Sequence, residues 1–530
     1  MAQDSTIRKN AHESSNESST PTTPHHEGMH GWRLAAVFLG LATGMFVSSL
    51  SETIAATALP TIVGDLDGVE IMQWVSTTYI LASTVSMPIY GKLGDKIGRK
   101  RLLIFAMGLY AIGKAICGLT PNMEGLICGR AVSGLGGGGL IILSQAVLAD
   151  VISARARGKY MGAIGAVFAV ANVLGPVLGG WFVQVAGWRM IFWFTIPLAV
   201  IAMVAIALFL PKDTKSAKMH IDYWGMMLLT LSIVTLVLVA SWAGTLYPWL
   251  SWQIIGLLTI CIISILGFIM VEKKAADPVI PLWLFKNSNF VLVSICSLII
   301  FAAFDGVINY LPTYLQIVTD KSPEIAGLMM TPLMGGTLLT STVTGFIASS
   351  TGKYKWMLVS MSAITAIGFF LMGTVVDSTP IFLMLIYFFI IGFGLGLGSQ
   401  IIVLVVQNEF PHAIVGTATA ANNLFRQIGS TLGTAIVGTL FTSRLTEFIG
   451  DKIPTDMHVS LSTLTPSIFN TLPQSIQTVV SAGYHEALIP LFTFALPLLV
   501  VSLVLMIFVK QRPLSDDVNN KGYTAQDKTA

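Results

Sequence analysis

Charge is what this sequence has least of. Only 11% of its 530 residues are Asp, Glu, Lys or Arg, against about 25% in a soluble domain, so a free-standing soluble enzyme or binding module is excluded. Cysteine is scarcer still. Cys117, Cys128, Cys261 and Cys296 lie far apart inside apolar runs, which reads as buried structural thiols rather than disulfides or metal ligands. The eight histidines show no ligand spacing, and neither a metal nor a cofactor is expected. Gly136 to Gly139 are not followed by Lys-Ser or Lys-Thr; they form no phosphate loop, and ATP is not the drive. The first 30 residues lack the apolar core of a cleavable signal and are rich in Ser, Thr, Asn, Glu and His, the composition of a disordered tail.

What the chain has instead is apolar length. Hydrophobic residues make up 54% of it, and a helix of about 20 such residues crosses a bilayer core of about 30 Å. Fourteen spans are read, at roughly 34–61, 72–91, 102–119, 124–149, 159–183, 190–210, 222–243, 251–271, 289–316, 324–349, 356–375, 380–406, 413–440 and 486–509. The runs are continuous rather than ten-residue alternations, which excludes a β-barrel. The fold class is therefore an all-α polytopic membrane protein. With both termini cytoplasmic, 23 of the 30 Lys and Arg fall on the inner side and four outside, while Lys114, Arg130 and Arg426 lie within spans. That split satisfies the positive-inside rule and requires an even number of spans.

The sequence also repeats itself. At an offset of 258 residues, Gly134, Gly136, Gly138, Gly158, Gly175 and Gly180 align with Gly392, Gly394, Gly396, Gly416, Gly433 and Gly438. At an offset of 254, GKLGDKIGRKR (91–101) aligns with GFIASSTGKYK, pairing Gly91 with Gly345 and Gly98 with Gly352. Six matches at one offset indicate two homologous six-helix bundles, and the spans at 222–271 have no partner in the repeat. The expected organisation is a tail over 1–32, a bundle over 33–210, a linker with two extra helices over 211–288, and a second bundle over 289–512. A long outer loop is placed at 441–485, whose LPQSIQTVVSAGYHEAL suggests a short interfacial helix, and a second tail at 513–530.

Two motifs carry most of the information. In GKLGDKIGRKR, Gly91 and Gly98 permit tight turns and close helix approach, and Asp95 caps a helix N-terminus or pairs with Arg99. Asp150, at the end of the fourth span, is the second acidic partner available to Arg99. The fifth span reads GAIGAVFAVANVLGPVLGGWF, with Gly162, Gly175, Gly179 and Gly180 as small packing positions and Pro176 as a bend. From about Arg33 to Leu514 the chain resembles the fourteen-spanner drug:proton antiporters of the major facilitator superfamily. That resemblance implies the major facilitator fold, with two six-helix bundles plus two central helices. It also implies that the first motif is a conformational latch and the second an antiporter motif.

Five charges inside the spans are the remaining candidates. Arg130 lies in GRAVSGLGGGG, where the family places an arginine that assists proton transfer; the bland alternative is that it snorkels to the outer edge. The first span reads LSETIAATALP where family members show LDxTIVNVALP, so Ser51 stands in the aspartate's place and Glu52 follows it. Asp305 lies mid-span in the ninth run, with Phe301 and Asn309 one turn either side on the same face. A carboxylate at that depth is costly unless paired or protonated. Lys114 reads as snorkelling from the outer end of span three, and Arg426 as an interhelical hydrogen-bonding group. The resemblance implies proton-coupled multidrug efflux by alternating access across the plasma membrane. The partners would be small hydrophobic or cationic substrates, protons and lipid, with neither nucleic acid nor an obligate protein. Phe46, Trp74, Tyr79, Phe301, Phe304 and Tyr310 suit greasy substrates, although packing explains most of them. An exporter of one solute, such as a siderophore, amino acid or metabolite, is the alternative, and a non-transporting sensor a more distant one.

Overall fold

The computed structural model describes residues 31–66, 71–212, 220–244, 246–376, 378–449 and 473–516, together with Gly68 and Phe469. Fourteen long helices fill these segments. The first six are α1 (Trp32–Leu66), α2 (Gln73–Ile97), α3 (Arg99–Leu119), α4 (Met123–Val151), α5 (Ala154–Val185) and α6 (Met190–Phe209). A pair follows, α7 (Tyr223–Trp242) and α8 (Trp252–Glu272). The last six are α9 (Ser288–Val318), α10 (Thr331–Thr351), α11 (Lys355–Met372), α12 (Ile381–Glu409), α13 (Val415–Ile449) and α14 (Gln474–Ile507). Among the described residues there is one isolated bridge, Ala243 to Tyr247, and no strand.

Eleven of these helices are long and apolar enough to cross a membrane by composition alone. The exceptions are α2, α10 and α13, and position explains all three. In each half α4 or α12 is sandwiched between its neighbours, while α5 meets α10 and α2 meets α13 where the halves touch. All three carry small and polar side chains where they meet the other half. The extra pair stands outside the seam, with α7 against α2 and α13, and α8 largely uncovered toward the surrounding lipid.

Lipid is as apolar as leucine, so burial alone does not draw membrane helices together; close packing does. The glycine repeat supplies it. On α4, Gly134 and Gly138 lie against Tyr79 and Ser83 of α2, and Gly136 lies against Ala106 and Tyr110 of α3. On α12, Gly392 and Gly396 lie against Leu333 and Thr337 of α10, and Gly394 against Thr365 of α11. The two halves are thus built on one plan. The run Gly136 to Gly139 is a packing surface.

The halves are joined at one face, where odd helices begin and even helices end; this is called the terminal face here. A Cβ on Gly91 would fall 2.8 Å from the Gly416 carbonyl oxygen, and one on Gly158 would fall 2.9 Å from that of Gly345. Repeat-related glycines therefore meet in crossed pairs. Gly91 of α2 touches Gly416 of α13, and Gly345 of α10 touches Gly158 of α5.

Several sequence expectations change here. The second span does not end at 91; α2 runs to Ile97, so Gly91 sits inside a helix and serves close approach rather than a bend. Gly98 alone makes the turn, at φ 110°, a value open to glycine and strained for other residues. The outer loop at 441–485 is also much shorter. α13 continues to Ile449, and α14 starts at Gln474, so QSIQTVVSAGYHEAL opens a spanning helix instead of forming an interfacial one. Residues 450–468 and 470–472, the tail 1–30 and the stretch 517–530 lie outside the described residues.

The crossed pairs predict a specific lesion. Gly158→Val drives a branched side chain into the Gly345 backbone and should hold the terminal face apart. In a Cys128→Ser background, a cysteine at fully buried Gln145 should resist a polar maleimide in the parent and react once Gly158→Val is added. Equal protection in both would show that the seam does not depend on this contact.

Candidate functional site

The charged residues within the spans gather at two places, one per half. In the first half Arg130 is 1% exposed and does not snorkel. Its Nε donates to the Val75 carbonyl at 3.0 Å, and its Nη1 donates to the Ser51 carbonyl and Oγ, each at 3.0 Å. The guanidinium also stacks 4.3 Å from the centre of the Tyr79 ring. Lys114 corrects the sequence reading more strongly. It is fully buried rather than snorkelling, because α1, α2, α4 and α6 close around it. Its Nζ donates to Ser51 Oγ, and the rings of Tyr110 and Phe192 lie 5.2 Å from it.

In the second half α9 and α13 run parallel in constant register. Phe301 lies under the Arg426 guanidinium at 4.2 Å, Asp305 is hydrogen-bonded by Ser430, and Asn309 Nδ2 donates to Thr434 Oγ1 at 3.1 Å. Both helices repeat every four residues, so a single face of each forms the ladder. Asn309 is thus brought beside Asp305, as the spacing predicts, but its own partner is a threonine. Arg426 interacts electrostatically with Asp305 and Glu52 and is more than a structural donor.

Glu52 joins the two sites. It is exposed, yet it interacts electrostatically with Arg130 of its own half and with Asp305 and Arg426 of the other. That combination places its carboxyl on the gap between halves. Two acids and two arginines therefore share the middle of the molecule, drawn from α1, α4, α9 and α13. Tyr79, Phe301 and Phe304 are buried packing residues; Trp74 packs edge-on against Trp242 at 5.9 Å.

The block at 91–101 closes the terminal face. Asp95 does both things the sequence allowed. It accepts from the Gly416 and Thr417 amides at 3.1 and 2.7 Å and from Thr417 Oγ1 at 2.8 Å, capping α13 of the opposite half, and it pairs with Arg99 at 2.6 Å. Arg99 also bonds Asp150, the Ala146 carbonyl at 2.7 Å and the His412 carbonyl at 3.2 Å. A carboxylate on helix N-terminal amides is favoured by unpaired donors and by the helix dipole together. The fifth-span glycines divide their work. Gly162 lies against Ser341 and Gly345 across the seam, while Gly175 and Gly179 admit Thr53 and Ile54 of α1. Pro176 lies within α5, and Gly180 has open space where a Cβ would go.

Sequence reasoning missed the polar groups that knit the seam. Arg155 reaches from α5 to the Ser349 and Ser350 carbonyls, at 3.3 Å each, and to Asp516 at 3.1 Å. Arg157 Nη1 donates to Gln407 at 3.1 Å, and Asn423 donates to Gln145 at 3.0 Å. Arg155 and Arg157 had registered only as inner-side charge. Lys92 and Lys96 were hidden the same way; both pair with Asp277, at 2.5 and 2.8 Å, from the segment after α8. The available signal was an acid placed among the lysines of a positive loop.

Asp277 gives a pH prediction. Burial pushes its carboxyl up, but Lys92 and Lys96 outweigh that and hold it below the ordinary aspartate range. A depressed folded value means that the stabilisation is present above the unfolded value, near pH 4, and disappears as pH falls through the folded one. Asp277→Asn should therefore lower the melting temperature at pH 7 by the equivalent of about 1 kcal/mol or less, given solvent screening. The difference should shrink as pH falls from 7 to below about 4. A constant difference across that range would separate Asp277 from both lysines.

This geometry can be set beside known proteins. The chain is 34% identical over 414 residues to the multidrug transporter protein MdtP of Bacillus subtilis, covering 78% of this chain and 76% of that one. It is 32% identical over 514 residues to the MFS-type efflux pump LUC4 of Fusarium sp, covering 93% and 90%. The solved structure of the proton:xylose symporter XylE superposes with a TM-score of 0.62 over 92% of this chain and 98% of that one, at 14% identity, which speaks for the fold alone. The family model described as the Major Facilitator Superfamily matches residues 41–434. With two six-helix halves joined by a crossed seam and most of its length matched in this way, the chain belongs to the Major Facilitator Superfamily.

Proposed function

We propose that this protein is a proton-coupled antiporter that exports hydrophobic and cationic toxic compounds across the plasma membrane by alternating access. Both termini, and hence the terminal face, are then cytoplasmic, and the present conformation is closed to the cytoplasm. The observation that carries this reading is the placement of exposed Glu52 on α1 of one half and Asp305 on α9 of the other, with Arg130 and Arg426 near enough to interact electrostatically with Glu52. Relatives named as a multidrug transporter and an efflux pump support the export direction. One proton driven inward supplies about 1.4 kcal/mol per pH unit and about 2.3 kcal/mol per 100 mV, enough for steep accumulation ratios.

In this reading, protons and cationic substrates compete for the acids. With Asp95 and the glycine crossings released, substrate enters from the cytoplasm onto ionised carboxylates. When the seam closes, the gap faces outward, protons replace the substrate, and the neutralised acids permit return. Gly91, Asp95, Gly98, Arg99 and Asp150 act as the latch, and Gly162, Gly175, Pro176, Gly179 and Gly180 as the α5 packing surface that prevents leakage. Asn309 orients the Asp305 end of the ladder.

Two experiments test this. Lys353, placed on the cytoplasmic side, should react with an impermeant amine reagent only after cells are permeabilised; reaction in intact cells would overturn the orientation. In everted vesicles with an acidified lumen and ethidium added outside as probe, Asp305→Asn should cut pH-gradient-driven uptake by about a hundredfold, the scale of losing a proton-transferring group, while ethidium binding on the remaining Glu52 carboxylate persists. Glu52→Gln should show the complementary defect. Wild-type rates in both variants would remove these acids from coupling.

A further inference from the structure

A cavity of about 590 Å³ opens at the terminal face, between the start of α1, the start of α3 and the end of α6. Arg33, Lys100 and Lys212 line it together with the 207–211 end of α6, and no carboxylate does among the described residues. Arg33 and Lys212 are exposed, and neither forms an ion pair among the described residues. Lys100 has a different role. The Ala207 carbonyl would ordinarily accept from the amide four residues on, but that residue is Pro211, which has none. Lys100 Nζ donates to this carbonyl at 2.8 Å and to the Leu210 carbonyl as well. A cation on the last carbonyls offsets the negative end of the α6 dipole, so the wall that would repel an anion is covered, and Arg33 and Lys212 leave the cavity positive.

Two further observations point to the occupant. Trp32, next to Arg33 in the chain, packs edge-on against Phe209 of the cavity wall at 5.2 Å and is still 65% exposed. An exposed tryptophan at the end of a spanning helix marks the headgroup level of a bilayer. From the same wall, Leu208, Val204 and Ile201 run down α6, all exposed. Their spacing of four and three residues puts them in one stripe leading from the cavity toward mid-span. Cations alone would suit any soluble phosphate, and an apolar stripe alone any lipid; joined at one place, they select an anion that carries acyl chains. We propose that this cavity binds the headgroup phosphate of an anionic phospholipid of the cytoplasmic leaflet, with Arg33 and Lys212 on its oxygens and an acyl chain along Leu208, Val204 and Ile201. Basic pockets between membrane helices on that side face a leaflet that is itself negative. Because α6 packs on α1 and α3, a phosphate shared by Arg33 and Lys212 ties the start of α1 to the end of α6. The inference takes only the orientation of the terminal face from the proposed function and nothing from proton coupling.

The test uses purified full-length protein in detergent, titrated with dioleoylphosphatidylglycerol and followed by native mass spectrometry, which resolves the first bound lipid. The wild type should bind this lipid about tenfold or more tightly than zwitterionic dioleoylphosphatidylcholine. Arg33→Gln combined with Lys212→Gln should abolish the preference by weakening phosphatidylglycerol binding about tenfold or more, as two cations beside the phosphate are lost. Lys273→Gln combined with Lys274→Gln removes two exposed cations from the same face, beyond the end of α8, and should leave the affinity near the wild-type value. Arg33→Lys with Lys212→Arg keeps both charges and should retain binding; melting without lipid checks that each variant is folded. Equal loss in the two Gln pairs would reduce the effect to general attraction and overturn the proposal, as would equal affinity of the wild type for both lipids. Displacement of the lipid by inorganic phosphate at equal concentration would assign the cavity to a soluble anion and overturn it too. Lipid binding as expected, together with labelling of Lys353 in intact cells, would instead refute the orientation and move the site to the other leaflet.

Discussion

Two points of backbone contact hold the halves together, Gly91 against Gly416 and Gly158 against Gly345. Helix axes approach this closely only where neither partner carries a side chain, and each crossing fixes the angle at which two whole bundles meet. Nearly everything else at the terminal face follows from them. Asp95 is one turn past Gly91, so the crossing presents it to the first free amides of α13. Gly162, one turn past Gly158, carries the second crossing deeper into the seam against Ser341. A membrane protein without a hydrophobic drive between its helices depends on such contacts for both cohesion and reversibility.

The two crossings are related by the internal repeat but are not equally latched. Asp95 caps α13, whereas its repeat counterpart is Ser349, which has no charge to offer α5. There the polarity is reversed. Arg155 at the start of α5 reaches back to the Ser349 and Ser350 carbonyls at the end of α10. Each side thus joins a helix end to a side chain of suitable sign, carboxylate to free amides and guanidinium to free carbonyls, in keeping with the helix dipole. The two crossings thus carry unlike contacts, and the extra α7–α8 pair adds a tie to one of them through Asp277.

The mid-span charges follow the opposite logic. At the seam Asp95, Arg99 and Asp150 form close ion pairs, whereas Glu52, Asp305, Arg130 and Arg426 interact without a close ion pair among the described residues. A tight buried pair would be hard to break and would fix the protonation of its acid. Held on different helices, by hydroxyls, aromatic rings and backbone carbonyls, none of these groups is locked into such a pair.

The sequence by itself determined the helix count, the internal repeat and which charged block reaches the seam, because apolar run length, glycine spacing and a compact basic loop are local features that bilayer thickness and helix geometry translate directly. It also placed Asp305 and Asn309 on one face, since a helix makes neighbours of residues four apart. It did not determine what those residues face. Lys114 and Arg130 looked alike as span charges near an outer edge, and only the packing of α1, α2, α4 and α6 decided that both turn inward to Ser51. Gly91 looked like a turn residue until α13 arrived beside it, and Arg155 counted only as inner-side charge until a distant helix end was brought within 3.3 Å. Partners across the seam are separated by roughly 200 to 300 residues. Their meeting is set by how two bundles cross, and no periodicity in either segment records that.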